Sequence, residues 1–280
     1  MGEMRQLSIR REGWDGIVDF PLSERKQKPR ENGFTMIIDK GLGLSELADT
    51  LETSGQYIDF VKLGFGTSAL YTGDVLQKKI KLVRSMGIDI YPGGTFLEVA
   101  VLQGKLDLYL EKAKSLGYSC IEVSDGTINM SRIVRKRAIE KALDMGFKVL
   151  SEVGKKDARD ELSNTDILEQ INLDIEWGAY KVIVEGRESG KGVVIYDEQG
   201  RIKEKELEEI LKSISDINKI LWEAPHKNQQ QELIIRLGAN VNLGNVHPGD
   251  VMSLEALRVG LRGDTLRNYI ISNKLHAISS

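Results

Sequence analysis

Residues 34–64 read FTMIIDKGLGLSELADTLETSGQYIDFVKLG, and their pattern decides the fold. FTMIID (34–39) is short, apolar and strand-like. LSELADTLETSG (44–55) places apolar residues at helical spacing and ends in glycine, a common helix stop. YIDFVKLG (57–64) is strand-like again. A strand, a helix and a second strand in this order form a unit that pairs its strands in parallel.

The alternation runs on. A helix over DVLQKKIKLVRSMG is followed by IDIY (88–91) and a helical stretch from Phe96 to Gly117. CIEV (120–123) precedes a helix over 131–146, and FKVLSEV (147–153) one over 165–178. YKVIVE (180–185) precedes a charged helix over 204–215, and KILWEA (219–224) one over 227–238. ANVNLG (239–244) precedes a last helix over 251–261. The strands are short and apolar, as in a parallel sheet covered on both faces. Eight such units predict a single-domain α/β protein, a (β/α)8 TIM barrel over 34–265. A polar arm (1–33) precedes it and a tail (266–280) follows. A doubly wound sheet is the competing fold, but its early G-x-G-x-x-G turn is missing; the first turn reads DKGLGL.

Composition narrows the function. Lys and Arg number 39 against 42 Asp and Glu, a net charge of −3, so nothing draws the chain to nucleic acid or an anionic membrane. Cys120 is the only cysteine and can form no intrachain disulfide, which suits a reducing cytoplasm. No apolar run approaches the ~20 residues of a membrane span, and the N-terminus carries no signal-like apolar segment. The three histidines, His226, His247 and His276, show no metal-ligand spacing.

Barrel enzymes work at the carboxyl ends of their strands. Here those ends are densely polar: Asp39, Lys62, Glu122, Asp125, Glu152, Lys155, Lys156, Glu185, Arg187, Glu223, Asn242 and Asn245. One rim carboxylate is easily just a cap or an ion-pair partner; a rim charged at nearly every strand points to a site. In SEVGKK, Glu152 and Lys156 share parity while Lys155 falls on the other, so Lys156 follows Glu152 into the mouth. Carboxylates on adjacent strands, Glu152 and Glu185, make a hard oxygen site suited to Mg²⁺. The loop VEGRESGKG (184–192) is glycine-rich and basic but not a nucleotide P-loop. Glu185 stands where that motif needs its first glycine, and Gly192 where it needs Ser or Thr. Arg187 and Lys191 flank the glycines, which favours a small-anion site over a plain surface loop.

The segments DKGLG, YIDFVKLGFGTSA, YPGGTFLE, EVSDG, LSEVGKK, VIVEGRESGKG, WEAPHKNQQ, VNLGNV and SLEALRVGLRGDT occur in order over about 35–265. Together they resemble the motifs of the (2R)-phospho-3-sulfolactate synthase family. The resemblance implies a cytoplasmic, homo-oligomeric enzyme that adds sulfite to C3 of phosphoenolpyruvate with Mg²⁺. It implies a metal site at Glu152 and Glu185, with Asp125 as a third ligand. Lys156 becomes the general acid, its pKa lowered by Lys155 and the metal, and Lys155 is the second candidate. Arg187, Ser189, Gly190, Lys191 and Lys62 take anionic groups, and Asn242 and Asn245 close the far side of the pocket. Two other readings stand beside this one: a Schiff-base aldolase using Lys62 or Lys156, and an idle barrel kept as a binding protein.

Overall fold

The computed structural model describes residues 14, 16–156 and 162–279. Eight parallel strands form one sheet in the order β3-β2-β1-β8-β7-β6-β5-β4. They are β1 Thr35–Asp39, β2 Phe60–Leu63, β3 Asp89–Pro92, β4 Cys120–Val123, β5 Lys148–Val153, β6 Lys181–Val184, β7 Ile220–Glu223 and β8 Leu243–Val246. At the remaining seam the Ser119 N–H donates to Ile90 O at 3.2 Å, and Ser119 Oγ accepts from the Ile90 N–H at 3.1 Å. The sheet thus curls into the expected (β/α)8 barrel.

Ten helices surround it among the described residues: α1 Leu44–Ser54, α2 Gly73–Ser85, α3 Gly94–Leu102, α4 Leu106–Leu116, α5 Arg132–Asp144, α6 Asn164–Glu176, α7 Glu204–Ser213, α8 Lys227–Leu237, α9 Val251–Arg258 and α10 Gly263–Ser279. The helical stretch read as one over 96–117 is two helices. Gly104 adopts φ +65° between them, a left-handed turn that a glycine takes without steric cost. Residues 266–279 of the segment read as a tail lie in α10.

Strand periodicity builds two cores. Outward residues such as Ile37, Val61, Ile121, Val149 and Val182 pack under the helices. Inward residues Phe34, Met36, Phe60, Tyr91, Cys120, Leu150, Ile183 and Leu221 fill the barrel. Residues Arg25 to Arg30 of the arm lie across the strand starts. Arg25, buried, bonds both carboxylate oxygens of Glu255 in α9 at 3.0–3.2 Å and donates to Gly33 O at 2.8 Å. Arg30 pairs with Asp59 at 2.7 Å, just before β2.

Candidate active site

Side chains two residues apart share one face of a strand. Each inward apolar residue is therefore followed, two positions toward the carboxyl end, by another inward residue. Phe60 leads to Lys62, Cys120 to Glu122, Leu150 to Glu152, Ile183 to Glu185 and Leu221 to Glu223. The register agrees, since Glu152 pairs with Ile183 and Ile183 with Leu221. One lysine and four glutamates form a charged layer directly above the apolar plug, all buried.

Charges this deep persist only when paired. Lys62 Nζ lies 3.0 Å from Glu122 Oε2, 3.0 Å from Glu152 Oε2 and 3.1 Å from Glu223 Oε1. Burial alone would lower its pKa, but the three carboxylates raise it well above the ordinary value, so it remains an ammonium. Lys156 Nζ donates to Thr95 Oγ1 at 2.9 Å and stands 3.5 Å from Glu152 Oε1 and 3.9 Å from Glu185 Oε2. Burial opposes the charge on Glu152 too, yet Lys62 and Lys156 hold its pKa low. Glu185 behaves oppositely. Burial and the charges of Glu152 and Glu223 raise its pKa well above the carboxylate range. Burial pushes Glu122 up to about 7.

Backbone donors complete the layer. The Gly94 N–H at the start of α3 donates to Glu122 Oε1 at 2.6 Å. Only glycine permits this approach, because a Cβ there would come 2.4 Å from Ser124 Oγ. The Gly186 N–H donates to Glu223 Oε2 at 3.0 Å, and a Cβ there would meet Glu223 O at 2.6 Å. Above the layer opens a cavity of about 340 Å³. Its walls include Lys62, Thr95, Glu152, Lys156, Glu185, Arg187, Ser189, Glu223 and Asn245.

Seven of the site residues expected from the sequence therefore line one cavity: Lys62, Glu152, Lys156, Glu185, Arg187, Ser189 and Asn245. The others lie elsewhere. Asp125 turns to the outward side, where it pairs with Arg135 at 2.9 Å and lies 3.6 Å from Lys155. Lys155 donates to the carbonyls of Asp125 and Ile128 at 2.6 and 3.0 Å and does not line the cavity. Lys156 is consequently not lowered toward neutrality by Lys155. Burial lowers its pKa, but Glu152 and Glu185 outweigh burial and raise it.

The basic loop divides at its middle. Arg187 and Ser189 face the cavity, with Arg187 in a left-handed backbone conformation (φ +58°) whose N–H donates to Glu185 Oε1 at 2.6 Å. Gly190 packs on α8, its carbonyl accepting from Gln229 Nε2 at 2.8 Å. Lys191 is exposed and absent from the cavity walls. Asn242 sits at the other end of the barrel. ANVNLG is not a strand ending near 244; β8 runs Leu243–Val246, so Asn242 precedes it. There it accepts from the Phe34 N–H at 3.0 Å and donates to Ile220 O at 2.8 Å.

Glu122 and Glu223 carry more of the site than the sequence reading gave them. Glu152, Glu185 and Glu223, not Asp125, each place one carboxylate oxygen within 4.8 Å of the others. The signal was present in the period-two count upward from Cys120 and Leu221.

The sequence profile of the (2R)-phospho-3-sulfolactate synthase (ComA) family matches residues 23–264. The chain belongs to the (2R)-phospho-3-sulfolactate synthase family. Phosphosulfolactate synthase of Methanothermobacter thermautotrophicus is 44% identical over 250 residues, covering 89% of this chain and 96% of that protein. The enzyme of the same name from Methanocaldococcus jannaschii is 47% identical over 237 residues, 84% of this chain and 94% of its own length. That of Bacillus subtilis is 41% identical over 253 residues, 90% and 98% of the two chains. Among solved structures, 3-hexulose-6-phosphate synthase from Salmonella typhimurium superposes with a TM-score of 0.53 at 14% identity, covering 81% of this chain and 98% of that one. A likeness at that identity speaks for the barrel fold alone. Membership in the family makes the chain an enzyme, and the charged layer lies at the carboxyl ends of the strands, the face on which barrel enzymes carry their active sites. Among the described residues no helix is long and apolar enough to cross a membrane.

Proposed function

We propose that this chain joins sulfite to phosphoenolpyruvate, giving (2R)-phospho-3-sulfolactate, at the cavity above the charged layer. The observation that carries this reading is the placement of Lys156 beside Glu152 and Glu185 on the wall of a cavity that also presents Arg187. It is supported by family membership along nearly the whole chain.

The donor set suits Mg²⁺. Glu152 Oε1, Glu185 Oε2 and Asn245 Oδ1 are buried oxygens that accept no hydrogen bond. Glu152, Glu185 and Glu223 together offer the hard oxygen ligands that Mg²⁺ takes. Glu152 and Glu185 would hold the ion most directly, with Glu223 as the third carboxylate. When bound, Mg²⁺ supplies positive charge for the substrate's carboxylate end.

The chain's own groups do the rest. Arg187 presents a planar fork to an anionic substrate group, and Ser189 adds a hydroxyl. The sulfur lone pair of sulfite forms the C–S bond at C3. The C2–C3 π pair moves to C2 and spreads onto the carboxylate. Lys156, held charged, then delivers a proton to C2 and regains one from solvent. The phosphate ester stays intact. Imine chemistry fits less well, because both Lys62 and Lys156 are held as ammonium ions without the lone pair that attack on a carbonyl needs.

Lys156→Ala tests the assignment. Its kcat should fall by about 10²–10⁴ with KM for phosphoenolpyruvate little changed. A near-normal kcat in Lys156→Ala would remove the lysine from the proton step.

A further inference from the structure

Helix α3 touches Lys156 through one residue and the loop behind the lysine through another. Its first turn carries Thr95, whose hydroxyl accepts from the lysine head at 2.9 Å. Three residues on, on the same helix face, is Glu98, only 1% exposed. Its carboxylate touches neither the cavity nor the charged layer. It is wholly engaged with the β4–α5 loop instead. Oε1 accepts from Ser124 Oγ at 2.6 Å, and Oε2 accepts from the N–H groups of Thr127 and Ile128 at 2.8 and 2.9 Å.

That loop is the wall behind Lys156. Gly126 O accepts from the Lys156 backbone N–H at 2.9 Å. Gly126 also lies so close to the lysine stem that a Cβ would come 3.2 Å from both Cγ and Cε. The loop is shaped around the stem, and Glu98 fixes the loop with three bonds in a water-poor setting, where charge-assisted bonds are strong. We propose that Glu98 is a positioning residue for Lys156: by fixing residues 124–128 against the lysine's backbone and stem, it aims the ammonium held by Thr95 into the cavity. The inference rests on the reading of Lys156 as the proton donor for its kinetic consequence, but the geometric claim stands apart from the reaction.

A lysine that must meet C2 loses rate quickly when its stem can wander, since small misplacements in a reacting pair cost up to about 10²-fold. A residue that acts only this way changes the rate and not ground-state binding. Glu98→Gln keeps the shape, but its amide NH₂ faces two N–H donors or loses Ser124. It should lower kcat 10- to 100-fold while KM for phosphoenolpyruvate and Mg²⁺ dependence change less than about threefold. Acylation of Lys156 by an amine-directed reagent at one pH, followed by mass spectrometry against the exposed Lys205 of α7, reads the geometry without turnover. In the wild type Lys156 should react slowly, and in Glu98→Gln several-fold faster.

Ser124→Ala removes one of the three bonds and guards against a misfolded Glu98 variant; it should move both readouts in the same direction by a smaller factor. Unchanged Lys156 labelling in a folded Glu98→Gln, or in Ser124→Ala if the first variant is unfolded, overturns the proposal. So does a loss that appears in KM with kcat intact. If the wild type fails to turn over phosphoenolpyruvate and sulfite, the proposed reaction falls, while the labelling still decides whether Glu98 positions Lys156.

Discussion

Lys62 Nζ and Glu152 Oε2 lie 3.0 Å apart at the centre of the barrel mouth, and the same ammonium reaches Glu122 and Glu223. The lysine is the counter-ion of the layer, placed to neutralise carboxylates that would otherwise repel one another out of water. Lys62→Met keeps much of the volume but strands the three acids. Breaking a buried ion pair in this way costs about 3–5 kcal/mol, so thermal unfolding should move down by many degrees. A variant as stable as the wild type would mean that the acids are neutral in the fold.

Glu122 carries a pH signature. Burial pushes its pKa up to about 7 from an ordinary 4.5, so the folded chain holds a proton there that the unfolded chain has released. Between those values the folded state binds more protons, and stability falls as pH rises. The contribution is complete below about 4.5 and lost as pH passes through 7. Glu122→Gln has no proton to lose. Relative to it, the wild type should lose about 1–3 kcal/mol of stability between pH 4.5 and 7.5. Denaturant melts at four or five pH values check this, and a difference that does not vary with pH contradicts it.

Arg187 is asked to bind an anion by its fork, not only by its charge. Arg187→Lys should therefore raise KM for phosphoenolpyruvate by about 10- to 100-fold, because one ammonium replaces two parallel donors. The backbone imposes no further penalty, since Lys and Arg meet the same strain at φ +58°. Steady-state kinetics with each substrate varied in turn will show which anion the residue serves. KM values unchanged from the wild type for both substrates would take Arg187 out of the binding site.

The barrel was legible because its strands are short apolar runs set off by glycine-ended helices, a pattern that local sequence alone imposes. Glu152, Lys156 and Glu185 were legible for the same reason, being strand-end residues of one parity. Asp125 and Asn242 were misplaced for different causes. Asp125 is one step out of the inward register, and Arg135, a helix residue ten positions on, draws it outward. Asn242 was assigned to the end of a strand whose boundary lies elsewhere. Asn245, in the left-handed region at φ +53°, breaks the regular register between β1 and β8, and no periodicity foretells such a break. The split of the basic loop depends on His226, which caps α8, and Gln229 within it, which hold Ser189 O and Gly190 O from more than thirty residues away.

The most direct test of the account is one assay on the purified chain: phosphoenolpyruvate, sulfite and Mg²⁺, with the product read by ³¹P nuclear magnetic resonance and mass spectrometry. The account expects (2R)-phospho-3-sulfolactate to accumulate with the phosphate ester retained, to stop in excess EDTA, and to resume when Mg²⁺ is restored. Release of inorganic phosphate in place of a C–S bonded product, or full activity in EDTA, would contradict it.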